Sequence, residues 1–154
     1  MKHIFILDEN IFILACKGTN AKGQEDQSSC ILILQIARNC HKIAWNKELK
    51  RRYSLKTEII KKFPEYELFM KSYKIFFDLM TNAEKSTQNE SIFLDGGPEL
   101  DDDRHVISLA VFTKGILVTE DCRLKKALLK KNFISKYGLQ IRKPSEALIF
   151  ADEK

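Results

Sequence analysis

Apolar residues fall into two patterns along this chain: short unbroken runs, and longer stretches spaced by three and four. The run at residues 2–7 is rich in β-branched and aromatic side chains and stops at Asp8-Glu9-Asn10. Unbroken apolarity without alternation predicts a strand buried on both faces, as in a parallel sheet. Residues 116–118 repeat that pattern, and residues 42–44, 91–94 and 139–141 supply a second strand, a third strand and a last edge strand. The third strand is closed by the turn signal Asp95-Gly96-Gly97-Pro98.

Between these runs the period changes to that of a helix. Residues 11–16 and 30–39 are apolar enough to be well covered, with Ser28 or Ser29 as cap of the second, and residues 17–27 are a polar loop. Asn46 is an N-cap candidate for the helix NKELKRRY. Leu55, Ile59, Ile60 and Phe63 keep helical spacing up to Pro64, and Tyr66, Phe69, Met70, Tyr73, Phe76, Phe77 and Met80 form an amphipathic stripe. Together these predict a helical hairpin at about 55–80, inserted between the halves of the sheet, followed by an exposed polar stretch at 81–90. An aromatic stripe at this spacing is core or helix interface more often than a base-stacking surface. From Asp103, positions 103, 106, 107, 110 and 114 share one helical face, and Leu124, Ala127 and Leu128 give the next helix its inward side. Pro144-Ser145-Glu146 starts a last helix through Phe150.

Length and composition narrow the class. A chain of 154 residues, 44% hydrophobic and 31% charged, predicts one soluble globular domain spanning 1–154. No apolar run approaches the roughly 20 residues of a membrane span, and MKHIFIL is expected to be a first strand and not a signal peptide, so the cytoplasm is the default location. Cys16, Cys30, Cys40 and Cys122 lack zinc-site spacing and are expected to be buried, reduced thiols. A net charge of +5 and a pI near 9.0 fit a polyanionic partner.

The carboxylates carry the candidate chemistry. Asp8 and Asp121 follow strands, whereas Glu48 and Asp103 begin helices. Strand carboxyl ends and helix N-termini meet on one edge of a parallel α/β sheet, so four acids distant in sequence can converge there. Such a cluster needs bound cations or raised pKa values, and oxygen-only ligands select Mg²⁺ or Mn²⁺ over Zn²⁺. Each acid also has a plain structural role open to it. Asp8 and Asn10 can cap the segment after the strand, and Glu48 suits the N-terminal end of a helix dipole. The basic cluster Lys47, Lys50, Arg51 and Arg52 is either a solvated helix face or a phosphate-contacting patch.

Four segments, FILDEN, NKELKRRY with Glu48, DRHVISLA with Asp103 and ILVTED with Asp121, occur in an order and at spacings that resemble the PIN-domain family of metal-dependent nucleases, of VapC-like type. Position 9 departs from the family's usual Thr or Ser, being Glu9. The resemblance implies a three-layer α/β/α sandwich with a central, mostly parallel sheet of about five strands. It implies that Asp8, Glu48, Asp103 and Asp121 are the catalytic, metal-holding acids. Asn10 and Thr119 would support them, with Asp101 and Asp102 as cap or auxiliary residues. Hydrolysis of RNA phosphodiester bonds with Mg²⁺ or Mn²⁺ is the implied activity, with Lys47, Arg51, Arg104 and Lys125 gripping the substrate backbone. His105 is expected to face solvent or a phosphate, and not to act as an acid–base group. The implied enzyme is an endoribonuclease, either a toxin with an antitoxin partner or an RNA-processing enzyme, and dimers are the family's habit. The alternatives are a catalytically silent PIN-like module binding RNA or protein, and a Mg²⁺-dependent phosphatase or receiver-like domain, for which Asp8 and Lys143 make a poor pair.

Overall fold

Phe5, Ile6 and Leu7 are fully buried, as are Leu117 and Val118, so the unbroken apolar runs lie inside the molecule with both faces covered. The computed structural model describes residues 1–64, 74, 84–85 and 98–154. β1 (Ile4–Leu7) is central. It pairs in parallel with β2 (Lys42–Trp45) on one side. On the other side it pairs with Ile116–Val118, the fourth strand in chain order, in the register Phe5↔Ile116, Ile6↔Leu117 and Leu7↔Val118. With β3 (Glu84–Lys85), β4 (Ile116–Val118) and β5 (Gln140–Arg142), the described residues form a five-stranded parallel sheet in the order β3-β2-β1-β4-β5. Strand order reverses beside β1, which places the crevice expected of such sheets at the carboxyl ends of β1 and β4.

Helices cover both faces of the sheet, giving the three-layer α/β/α architecture. α1 (Asn10–Lys17) and α2 (Ser28–Arg38) follow β1, and α3 (Lys47–Ile60) follows β2. α4 (Arg104–Thr113) precedes β4, α5 (Cys122–Lys130) and α6 (Phe133–Tyr137) link β4 to β5, and α7 (Pro144–Ala151) ends the chain. α2 packs on α1 and α7, while α4 packs on β1, β2 and β4. Among the described residues no helix is long and apolar enough to cross a membrane.

The structure alters several expectations. α3 is one helix through Ile60, so the start of the expected hairpin belongs to it, and the hairpin's second helix lies almost entirely outside the described residues. The strand beside β2 is Glu84–Lys85, within the stretch expected to be a polar surface segment, and the strand expected at 91–94 lies outside the described residues. α2 starts at Ser28 with no side-chain cap on its first turn; the Ser28 amide instead donates to Asp26 Oδ1 at 2.9 Å. α4 is buried on nearly all sides, from His105 through Ala110, and not along a single stripe. All four cysteines are free thiols, but Cys40 and Cys122 are exposed and Cys16 and Cys30 half-buried.

Candidate active site

β1 ends at Leu7, and the next two residues, Asp8 and Glu9, are both buried at the sheet's carboxyl edge. Asp8 continues the ladder, its amide donating to the Val118 carbonyl at 3.0 Å. Its side chain does not cap α1, which has no side-chain cap at all. Asp8 Oδ2 instead accepts the Thr119 hydroxyl at 2.8 Å, and Thr119 Oγ1 in turn accepts the Asp121 amide at 3.1 Å. Burial, then the adjacent Glu9, raises the Asp8 carboxyl well above the usual range, and the Thr119 hydroxyl only partly offsets this.

A cleft of about 670 Å³ opens beside this strand pair, with Glu9, Asn10, Arg52, Asp102, Asp103 and Asp121 among its walls. A neighbouring concavity of about 400 Å³ shares Asn10 and Asp121 and reaches Asp8. Asp103 closes a 3-10 turn, Pro98–Asp103, and stands at the N-terminus of α4 without capping it. Burial, and then the charge of Asp121, raises its carboxyl. Asp121 caps α5, its Oδ1 accepting the amides of Arg123 at 2.9 Å and Leu124 at 3.3 Å. Asp102 is an exposed wall of the cleft, and Asp101 turns away to pair with Arg104 at 2.6 Å.

Glu48, expected to complete the cluster, lines neither of these concavities and is paired within its own helix. One helical turn along α3, Arg51 Nη2 donates to Glu48 Oε1 at 2.6 Å and Arg51 Nε to Oε2 at 2.9 Å. Arg52 Nε also donates to Oε1 at 3.0 Å. These bonds, Arg51's foremost, pull the Glu48 carboxyl down to about 2. Two arginines at i+3 and i+4 capture a helical glutamate before anything across the cleft can. The residue that reaches the cleft is Arg52, whose Nη1 donates to Glu9 Oε1 at 3.3 Å.

Sequence reasoning passed over Glu9, Arg52 and His105 as site residues. His105 is only 2% exposed, opposite to the expected solvent-facing position, with Nε2 3.6 Å from Glu9 Oε2. Neither of those atoms has a hydrogen-bond partner. Burial would raise Glu9, but the proximity of His105 and Asp8 outweighs it and holds the carboxyl well below the usual range. The signal for Glu9 was its place directly after the first strand, and that for Arg52 its i+4 spacing from Glu48. Of the other basic candidates, Arg51 and Arg104 are engaged by Glu48 and Asp101. Lys47 is exposed, and Lys125 lines a separate small recess with Thr119 and Glu120.

Neither the protein-family models nor the curated proteins include a match to this chain. Among solved structures, VapBC2 from Rickettsia felis bound to a DNA fragment from its promoter matches with a TM-score of 0.52 at 18% identity. The match covers 91% of this chain and 98% of that one. The fold is PIN-like. At this identity the likeness concerns architecture, and the chemistry rests on the cleft itself.

The donors in that cleft suit a hard divalent cation in kind: they are carboxylate oxygens, and Asp8 and Asp103 are raised by burial and by their acidic neighbours, a cost that a cation relieves. Their spacing is looser than the expected four-acid cluster. Among the described residues no three His, Cys, Asp or Glu side chains converge closely enough to hold an ion in this conformation.

Proposed function

We propose that this protein is a Mg²⁺- or Mn²⁺-dependent endoribonuclease of PIN type, hydrolysing RNA phosphodiester bonds in the cleft at the carboxyl ends of β1 and β4. The observation that carries the reading is that Asp8, Asp103 and Asp121, from three separate elements, line two adjoining concavities at that edge, with the carboxyls of Asp8 and Asp103 raised by burial and by acidic neighbours. A scaffold gains nothing from concentrating repelling charge where strands end. Asp8, Asp103 and Asp121 would hold the ion, and Glu48 contributes at one remove by fixing Arg52. When bound, the ion supplies Lewis acidity toward the phosphate and lowers the pKa of water. Thr119 keeps Asp8 oriented, and Asp121 presents the carboxylate oxygen that its helix cap leaves over. The net charge of +5 favours a polyanionic substrate. By likeness to the VapBC2 structure, a small antitoxin-type partner and a homodimer are the assemblies to look for.

Incubation of the protein with a labelled single-stranded RNA pool, with Mn²⁺ and with EDTA, tests the reading. Cleavage is expected with the metal, abolished by chelation and by Asp103→Asn or Asp121→Asn. Asn is as good an N-cap as Asp, so the Asp121 substitution removes charge while keeping the helix end. Cleavage indifferent to EDTA would overturn the metal mechanism. The second reading, a PIN-like RNA- or protein-binding module, draws on the absence of convergent ligands among the described residues. RNA binding without cleavage at saturating Mn²⁺ would favour it.

A further inference from the structure

Among the described residues, Arg52 is the basic side chain of the cleft wall that is tied down by hydrogen bonds. Its side chain is 25% exposed and bonded to two carboxylates, whereas Arg123, the other arginine of the cleft wall, is 94% exposed and has only a 3.6 Å ion pair with Asp121. A guanidinium has five N–H donors in a rigid plane. Here Nε is committed to Glu48, four residues back on the same helix, and one Nη1 hydrogen to Glu9, 43 residues away in the chain. Nη2 makes no hydrogen bond to any described residue and is not a buried, unsatisfied atom, so its donors are open to solvent in a residue that lines the cleft.

Two carboxylates thus fix the plane of the fork and leave its outer edge open. The walls of the cleft therefore carry both kinds of group, the carboxylates of Asp103 and Asp121, which attract cations, and the guanidinium of Arg52, which attracts anions. A phosphodiester approaching a bound cation needs both. Glu9 is offset by Arg52 and cannot by itself repel the substrate.

We propose that Arg52 binds the substrate phosphate, and that Glu48 and Glu9 are positioning residues which hold its guanidinium ready. This rests on the nuclease reading for the identity of the substrate, but its test does not need turnover. The bland rival is that Arg52 only neutralises Glu9.

Binding of a fluorescent single-stranded oligoribonucleotide in EDTA at fixed low salt, followed by anisotropy, separates the two. Arg52→Ala is expected to weaken binding about 10- to 100-fold, the size expected for losing charge-assisted hydrogen bonds. Arg52→Lys keeps the charge and the fold but lacks the planar fork, and should recover only part of the loss. The double variant Glu9→Gln with Arg52→Ala removes both charges and should stay as weak as Arg52→Ala alone. Mn²⁺ affinity measured by titration calorimetry should be unweakened in all three. Wild-type binding by Arg52→Ala, or recovery in the double variant, would overturn the proposal. If wild-type protein binds RNA but does not cleave it, the nuclease reading fails and the Arg52 result stands on binding alone. If it neither binds nor cleaves, both fall.

Discussion

Asp103 bears the cost of the site most directly. It is half-buried, and both burial and the charge of Asp121 disfavour its ionised form. A carboxyl whose pKa is raised by folding gives stability at low pH that is lost as pH rises through the folded value, so at neutral pH the charged side chain opposes folding. Asp103→Asn removes the repulsion without removing the shape. We expect a thermal midpoint higher by about 2–4 °C, the response to roughly 1 kcal/mol in a domain of this size, together with lost cleavage. Circular dichroism melts in EDTA measure it, and a lowered midpoint would make Asp103 a structural residue. At this scale the sequence disclosed residue types but not their partners. Asp103 and Asp121 were legible as acids at element ends. The capture of Glu48 by Arg51 and Arg52 was not, because choosing between a partner one turn away and one across a cleft requires coordinates.

The element that sets the geometry of the cleft wall is the start of α3. Asn46 Oδ1 accepts the Leu49 amide at 2.9 Å, and its Nδ2 donates to the His105 carbonyl at 3.0 Å. One buried side chain therefore caps α3 and ties it to the first turn of α4. Asn46→Ala should cost about 1–3 kcal/mol, a lost cap plus a carbonyl left unpaired. Asn46→Asp keeps an acceptor for the cap but has no donor for His105, and should not restore stability in urea unfolding. Full rescue by Asp would show that only the cap matters. The cap was visible in the sequence as Asn before a helical run, whereas the tie to α4 was not, since the two are 59 residues apart. Close packing was equally hidden. A Cβ at Gly115 would lie 2.6 Å from Ile6 Cδ1 and 2.8 Å from the Ile4 carbonyl, so β4 can sit this close to β1 only with glycine there.

Across the whole molecule, the two ends of the chain are joined through a histidine. His41 Nδ1 accepts the His3 amide at 3.1 Å, and His41 Nε2 meets the Ala151 carbonyl at 3.1 Å, which fixes a neutral ring with its proton on Nε2. His3 Nε2 reaches Glu153 at 2.9 Å, and Asn39 Nδ2 also donates to the Ala151 carbonyl. Burial lowers the His41 pKa; Coulombic repulsion from the neighbouring basic groups, with Lys2 and the N-terminal amine among them, adds to this, while the bond to Ala151 opposes it. A depressed imidazole contributes stability that is complete above its ordinary pKa of 6.5 and is lost as pH falls below that value and through the folded one. Hydrogen exchange in α7, corrected for intrinsic rates, should therefore accelerate between pH 7 and about pH 5. His41→Gln should flatten that dependence, and an unchanged slope would dismiss His41 as its source.

By itself the sequence determined the parallel sheet, the positions along the chain of four of its strands, and the ends of elements at which acids occur. These follow from local rules: an unbroken apolar run must be buried on both faces, and Asn or Asp before a helical run satisfies its free amides. Tertiary structure alone decided which charges meet. It put Arg52 in the cleft wall between Glu48 and Glu9, buried His105 beside Glu9, and joined Asp8 to Asp121 through Thr119. The physical reason is range. Apolar periodicity and capping are written in residues a few positions apart, whereas the energy of an ion pair across elements or of a buried carboxyl depends on neighbours that only the closed fold supplies.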